Sequence, residues 1–406
     1  MIKVGLDIGN SKISCIVCDI RNNEKPKILS FVNRPTSNIK KGTFTNFQLI
    51  KEEVKEVLDI AAKESQTDIK SINLNVPISE SNSLYYNSQI NIANELISDL
   101  HLKKSINQSE FFNQSENLQT IMNFIINYEI DDKLINGSPI GNFAKKLCLN
   151  FYKLSVDKNV FNSYKNLFNE LNIHIRNFIP TPLSSALATL TKDDQDLGSI
   201  CIDLGESSTS FAVFENMKLI FCDSISVGSN NITNDIARGI STTKDSAERL
   251  KNLYGSVITS PSDEYELFEV PIVSSTENEF KQINRSTINL IIKPRVEETL
   301  ELVWQKIKPY GLHKKRIKNL ILTGGGSQLE GISEYAQIIF DSNVRLAKPF
   351  GILNLSKEYS GPQFSQTIGS ILFNENQYEV NFLKKSQNLT KNTVFNRFSS
   401  WLDQYI

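Results

Sequence analysis

No stretch of this chain approaches the roughly 20 consecutive apolar residues that a helical membrane span requires. The opening MIKVGLDIGNSK has no apolar h-region, so it does not read as a secretory signal. Charge of one sign is missing as well. Lys and Arg number 44 against 45 Asp and Glu, a formal net charge of −1. No global field therefore draws the chain to nucleic acid or anionic lipid, and any membrane contact must be local. Cysteine is sparse and odd in number, with five residues at 15, 18, 148, 201 and 222. That excludes a disulfide framework and fits reduced thiols in a cytosol. Cys15 and Cys18 stand three apart in a strand pattern, face opposite sides, and read as core rather than a metal pair. The three histidines, His101, His174 and His313, fall in no motif and are not expected to act as bases.

What is present is the composition of a globular protein, 40% hydrophobic and 22% charged over 406 residues. Such a length predicts two to four folding units. Residues 2–8 alternate as a strand, Gly9-Asn10-Ser11 is a turn, and 13–20 form a second strand. Helical spacing covers 47–64, with Leu49, Val54, Val57, Leu58 and Ala61 on one face. A short strand follows at 71–76. Residues 79–156 are polar and Asn/Ser-rich and read as a separate small subdomain, with a helical centre near 115–127 and a strand at LCLNFYKLSV. Further helices are expected at 158–172, 182–191, 229–254 and 287–308. A hairpin with Glu215-Asn216 at its turn follows the strand before Gly205, and 256–284 reads as short strands and loops. Residues 317–323 read as a buried strand, and the glycines after it as opening a helix through 340. Lys314-Lys315-Arg316 reads as a solvated loop, not a nucleic-acid patch.

Three elements carry chemistry. The first is the turn Asp7-Ile8-Gly9-Asn10-Ser11-Lys12, where glycine permits close backbone approach to a phosphate, Lys12 adds positive charge, and Asp7 can hold water on Mg²⁺. The second, Asp203-Leu204-Gly205-Glu206-Ser207-Ser208, repeats the carboxylate–glycine arrangement, so DIGNS and DLGES outline an internal duplication. Two such hairpins facing each other would clamp phosphates and a metal from both sides. The third is Gly324-Gly325-Gly326-Ser327 after an apolar strand, where backbone can approach a base or ribose and a helix N-terminus lies near negative charge.

In this order the elements are similar to the phosphate-one, phosphate-two and adenosine motifs of the actin, DnaK-type chaperone and sugar kinase superfamily. Within it, VGLDIGNSKISCIV, GSNNITNDIARGISTTKDSAERLK, Ile292-Lys293-Pro294-Arg295 and LILTGGGSQLEGISEYA resemble the FtsA family of bacterial cell division proteins over nearly the whole chain. The resemblance implies an α/β, actin-like (ribonuclease H-like) fold of two lobes with an inserted small α/β subdomain. It implies 1–78, 157–196 and 351–382 as the core of lobe I and 79–156 as the insert. Lobe II would have its core at 197–228 and 301–350 and its outer subdomain at 229–300. A linker at 383–392 and an amphipathic helix at 393–406 would complete the chain. It also implies ATP and Mg²⁺ as ligands, with Gly228, Asn231, Glu248 and Lys251 near the nucleoside. Arg285, Lys293 and Arg295 would receive the C-terminal tail of FtsZ. Self-association into filaments, contact with other division proteins, and a peripheral place on the cytoplasmic membrane face at the septum are further implications.

There are departures from that pattern. The second turn carries Glu206, Ser207, Ser208 and Ser210 where the family has glycines, threonine and an acidic residue. Repulsion between Glu206 and a phosphate charge 4 Å away would be about 4 kcal/mol at an effective dielectric of 20, unless the side chain turns aside. Thr181 stands where active chaperone relatives place a water-orienting glutamate, so nucleotide is expected to act as a structural switch with slow or absent hydrolysis. At the C-terminal end, Val394, Phe395, Phe398, Trp401, Leu402, Tyr405 and Ile406 share an arc of roughly 140° on a helical wheel. Aromatics on such a face suit a lipid interface. The alternative reading is an adaptor of pilus assembly, PilM-type, which shares the fold and the insert but normally lacks this helix.

Overall fold

The computed structural model describes residues 1–21, 24–78, 81–110, 117–135, 137–272, 280–310 and 318–374. The chain divides into two compact units. One is Met1–Ser79 with Leu167–Leu372, and the other is Glu80–Asn166 with the chain from Phe373 onward. The expected linker and terminal amphipathic helix, and Lys314-Lys315-Arg316, lie outside the described residues.

The first unit opens with β1 (Ile2–Ile8), β2 (Lys12–Asp19) and β3 (Lys27–Pro35). A short ribbon, β4 (Ile39–Lys40) with β5 (Thr43–Phe44), precedes α1 (Phe47–Ser65) and β6 (Ser71–Val76). Helix α1 starts where the Asn46 side chain accepts from the Leu49 amide, and it ends at Gln66 in the left-handed conformation. Its buried face is Ile50, Val54, Val57, Leu58 and Ala61. Leu49, expected on that face, is exposed. Ile50 replaces it because 50, 54, 57, 58 and 61 form the continuous helical stripe.

The second unit contains β7 (Asn82–Leu96), α2 (Asp99–Glu110), β8 (Leu118–Ile130), β9 (Lys133–Ile135) and β10 (Phe143–Asp157). The strands form an antiparallel sheet in the order β7-β10-β8-β9. Ile90, Ile92, Leu102, Leu147, Leu149 and Phe151 share its core. The helical centre expected near 115–127 is instead strand from 118 on. That run is rich in isoleucine and aromatics, and it pairs across to β10, Ile125 opposite Phe151 and Tyr128 opposite Leu149.

The chain continues through α3 (Lys158–Glu170), β11 (His174–Pro180), α4 (Thr181–Thr189) and α5 (Lys192–Leu197). Then come β12 (Ser199–Leu204), β13 (Thr209–Glu215), β14 (Lys218–Ile225), α6 (Ser229–Gly239) and α7 (Lys244–Tyr254). The last elements are β15 (Leu267–Pro271), β16 (Phe280–Asn284), α8 (Arg285–Ile307), β17 (Asn319–Thr323), α9 (Ile332–Phe340), β18 (Asn343–Leu346) and α10 (Ser365–Leu372).

Three expectations need correction here. The segment 229–254 is two helices, because Ser241 takes φ 44° and Thr243 caps α7 by accepting from the Ser246 amide. The β13–β14 turn is Asn216-Met217, at φ 51° and 61°, rather than Glu215-Asn216. The three glycines lead into a 3₁₀ turn, Gly325–Gln328, and the α-helix begins only at Ile332. No α-helix N-terminus is therefore formed by the glycine run.

The two large sheets of the first unit have the same topology. One runs β3-β2-β1-β6-β11 and the other β14-β13-β12-β17-β18. Each has two antiparallel hairpin contacts followed by two parallel ones. The duplication outlined by DIGNS and DLGES is thus carried by the whole sheet, and Asp7 and Asp203 are each the penultimate residue of the first strand. Helix α10 packs at backbone distance. A Cβ on Gly369 would lie 1.7 Å from the Ser184 carbonyl oxygen, and one on Gly5 would lie 1.9 Å from Ser370 Oγ.

Candidate functional site

Strand β1 delivers Asp7 to the first turn, which is closed by the Gly9 amide donating to the Lys12 carbonyl at 2.9 Å. Strand β12 delivers Asp203 to the second, closed in the same way by Gly205 donating to Ser208 at 3.1 Å. Both carboxyls are buried. Burial pushes Asp7 up to about 6; the nearby Lys12 and a hydrogen bond from Asn75 oppose this, while the charge of Asp203 adds to it. Asp203 is also raised by burial, against hydrogen bonds from Ser185 and Gln366 and the charge of Lys12. Lys12 is lowered to about 8 by burial, opposed by Asp7 and Asp203. The three side chains therefore sense one another, although they come from the two halves of the duplication.

Their partners come from places that sequence reasoning missed. Asn75 at the end of β6 donates to Asp7 Oδ1 at 3.2 Å and to the Gln366 carbonyl at 2.8 Å. Ser184 on α4 donates to Asn75 Oδ1 at 2.6 Å, and Ser185 donates to Asp203 Oδ2. Gln366 donates to the same Asp203 oxygen at 3.1 Å. Lys12 Nζ donates to the Gln363 carbonyl at 2.6 Å and lies 3.8 Å from the centre of the Phe364 ring. The Gly324 amide donates to the Pro362 carbonyl at 3.2 Å. One short segment, 362–366, thus touches the first turn, Asn75, the second turn and the glycine run. Ser184-Ser185 inside an otherwise apolar helix was the one visible signal. Nothing marked Gln363 or Gln366.

The remaining candidates divide by position. Gly324 has φ 85°, and a Cβ there would meet Asp203 Oδ1 at 2.2 Å, so this glycine lets the third element seat against the second. Gly326 faces Leu204, while Gly325 is open, with Gln363 Cβ 3.8 Å away. Ser327 is buried and donates to the Gly324 carbonyl at 2.7 Å. Asn10 accepts from the Gly42 amide at 3.4 Å, and the Ser11 carbonyl accepts from Thr36 at 3.0 Å. Ser207 and Ser208 are half-buried in the second turn. Gly228 packs on the Glu206 carbonyl, and its amide donates to the Asn231 side chain at 3.1 Å, so both residues build the start of α6. The first amides of α6 donate into the second turn, Ser229 to Gly205 O and Asn230 to Glu206 O, each at 2.9 Å.

Lys251 is buried and donates to Glu248 at 2.6 Å and to Thr233 at 2.9 Å, joining α7 to α6. Burial alone would raise Glu248, but hydrogen bonds from Lys251 and Thr233 bring it below the usual carboxylate range. A cavity of about 20 Å³, room for a water molecule, lies between Leu204, Gly228, Ser229, Ile232 and Gly326. The cations expected to receive a peptide are mostly engaged internally. Arg285 donates to the Tyr254 carbonyl at 2.9 Å and pairs with Glu330, Glu266 and Asp263. Arg295 pairs with Asp235 and Glu298. Lys293 lies 5.5 Å from the Tyr335 ring centre. Thr181 begins α4. Phe395, Phe398, Trp401, Leu402 and Tyr405 lie outside the described residues.

This fold, two sheets of like topology with paired aspartate turns, is that of the actin-like proteins. Among solved structures, a type IV pilus biogenesis complex of PilM and PilN matches with a TM-score of 0.62 at 14% identity, over 91% of this chain and 97% of that one. MreB5 of Spiroplasma citri bound to ADP matches with a TM-score of 0.56 at 12% identity, over 95% and 99%. The family model for cell division protein FtsA matches residues 200–369. Curated proteins of that name are 26% identical over 91% of this chain and 86% of the relative in Agrobacterium fabrum. In Bacillus subtilis the values are 27%, 91% and 82%, and in Buchnera aphidicola 26%, 98% and 96%. The chain is thus similar to the FtsA family of cell division proteins over most of its length.

Proposed function

We propose that this chain binds ATP with Mg²⁺ at its paired aspartate turns, polymerises, and tethers filaments of FtsZ to the cytoplasmic face of the membrane at the septum, where later division proteins join. The observation that carries the nucleotide site is the pair of like turns with buried Asp7 and Asp203, joined through Asn75, Lys12 and the segment 362–366. The residues fit a hard divalent cation. Asp7 uses Oδ1 and Asp203 uses Oδ2 for their hydrogen bonds, and the other oxygen of each accepts none among the described residues. When bound, Mg²⁺ supplies neutralisation of phosphate charge. Lys12 adds a positive group, the turns at Gly9 and Gly205 allow close approach, and the open face of Gly325 leaves room for a flat group. At the start of α4, Thr181 offers a hydroxyl, a weaker group for orienting water than a carboxylate or imidazole, which supports slow turnover.

For docking of the FtsZ tail, an acidic and apolar peptide, the best-supported patch is on α8. Leu290 and Lys293 are three apart and so share a face, and Leu290 is 63% exposed. Arg285 and Arg295 remain part of the proposal, but their internal ion pairs make them as much structural as binding residues. Anchoring is assigned to the segment 393–406. The Buchnera relative covers 98% of this chain, which leaves too few unmatched residues to exclude all of that segment.

Equilibrium dialysis with labelled ATP, for wild type and Asp203→Ala, tests the nucleotide site; equal binding would refute it. Retention on an immobilised FtsZ C-terminal peptide tests the tether, with Lys293→Glu expected to weaken it. A chain that binds ATP yet ignores the peptide would return the reading to a pilus-assembly adaptor. Phosphate release near the ordinary enzyme median of about 10 s⁻¹ would exclude the switch.

A further inference from the structure

The duplication allows the two turns to be compared position by position. Gly9 corresponds to Gly205, Asn10 to Glu206, Ser11 to Ser207 and Lys12 to Ser208. The first turn thus carries a cation and no anion beyond its aspartate, whereas the second carries an additional anion and no cation. The amide of Asn10 has a partner, the Gly42 N–H. Glu206 differs. Its main-chain oxygen is committed to the start of α6, while its carboxylate atom Oε2 is shielded from solvent and has no hydrogen-bond partner among the described residues. A shielded carboxylate oxygen without a donor is unfavourable, and it favours whatever ligand brings positive charge over one that brings more negative charge. Lys12 does not relieve it, since its ammonium is held by the Gln363 carbonyl and the Phe364 ring. With Asp7, Asp203 and Glu206 set against Lys12, the two turns have a formal charge of −2 when all are ionised.

We infer that Glu206 is a specificity-determining residue that disfavours the terminal phosphate of a nucleoside triphosphate, so that the site holds a metal-bound nucleoside diphosphate more tightly. The inference rests on the proposed nucleotide site. A phosphate held by the backbone of the second turn would stand next to residue 206, and a third phosphate would bring further negative charge to this carboxylate. A diphosphate with a divalent cation meets the same turn with less repulsion.

Isothermal titration of the full chain with Mg-ADP and Mg-ATP reads the preference directly, without depending on turnover. Wild type is expected to favour ADP by about tenfold or more. Glu206→Gln keeps the shape and removes the charge, and should bring the two affinities within about twofold of each other, mainly by tightening ATP. Glu206→Gly should do the same, and melting temperatures of both variants verify folding. A preference unchanged in a folded Glu206→Gln would overturn the inference while leaving the site intact. Failure of wild type to bind either nucleotide would overturn the site reading and this inference with it.

Discussion

Asp7 is held in a place that opposes its own ionisation. Folded, it keeps its proton up to about pH 6, while the unfolded chain releases it near the ordinary 3.8. Between those values the folded state binds more protons, so this group's contribution to stability falls as pH rises through that window. Lys12 acts in the opposite window. It loses its proton near 8 when folded and near 10.5 when unfolded, so its contribution rises from pH 8 to 10.5. Asp7→Asn, which can still accept from Asn75, should be about as stable as wild type near pH 4. It should become more stable by about 1–3 kcal/mol by pH 7 without metal. Urea melts at both pH values check this, and a difference that does not change with pH would contradict it. The glycines offer a second contrast. Gly324→Ala puts a Cβ into Asp203 and Leu204 at φ 85° and should lose about 1–3 kcal/mol together with ligand binding. Gly325→Ala meets only Gln363 Cβ, at 3.8 Å, and should fold normally. Equal melting temperatures for the two would show that the third element does not seat on the second as described.

Helix α10 packs on α4 without room for a side chain at Gly369. Gly369→Ala would place a methyl group 1.7 Å from the Ser184 carbonyl oxygen on α4, where backbone must move. The expected loss is about 1–3 kcal/mol, read from thermal melts, with Gly351→Ala (nearest atom 3.4 Å but φ 87°) separating steric overlap from backbone strain. At the start of α8, Arg285 draws Asp263, Glu266, Glu330 and the Tyr254 carbonyl together. Arg285→Ala should lower the stability of this cluster and expose the amides around it to exchange, whereas Lys293→Glu should not. A similar exchange pattern in both would deny the clamp. Element identity was legible wherever one period dominated, as in β1, β12 and α1. It failed at β8, whose isoleucines satisfy a helical count but whose pairing with β10 decides, and at 240–243, where a hydroxyl-rich break ends one helix and caps the next.

For the molecule as a whole, the duplicated topology could be read from two five-residue echoes because the same strand–turn–strand geometry demands the same residue types. The partners of the aspartates could not, since Asn75, Ser185 and Gln366 reach them from three separate stretches of chain. Membrane attachment belongs to this scale too. On the proposed reading, the 14 residues 393–406 with their four aromatics would anchor weakly, and many copies presented together would bind far more tightly through effective concentration. Liposome flotation should retain the full chain and release both Trp401→Glu and a chain ending at Lys391. If both variants float as the full chain does, the anchor lies elsewhere.

The segment 362–366 leads straight into α10, which ends at Leu372. Eight helical residues span about 12 Å. From the aspartate turns to Leu372 the chain is therefore one short rod, clamped at its near end by Lys12, Asn75, Asp203 and Gly324. Midway along, Gly369 lies on the Ser184 carbonyl, so the rod is pinned at a second point where no side chain fits.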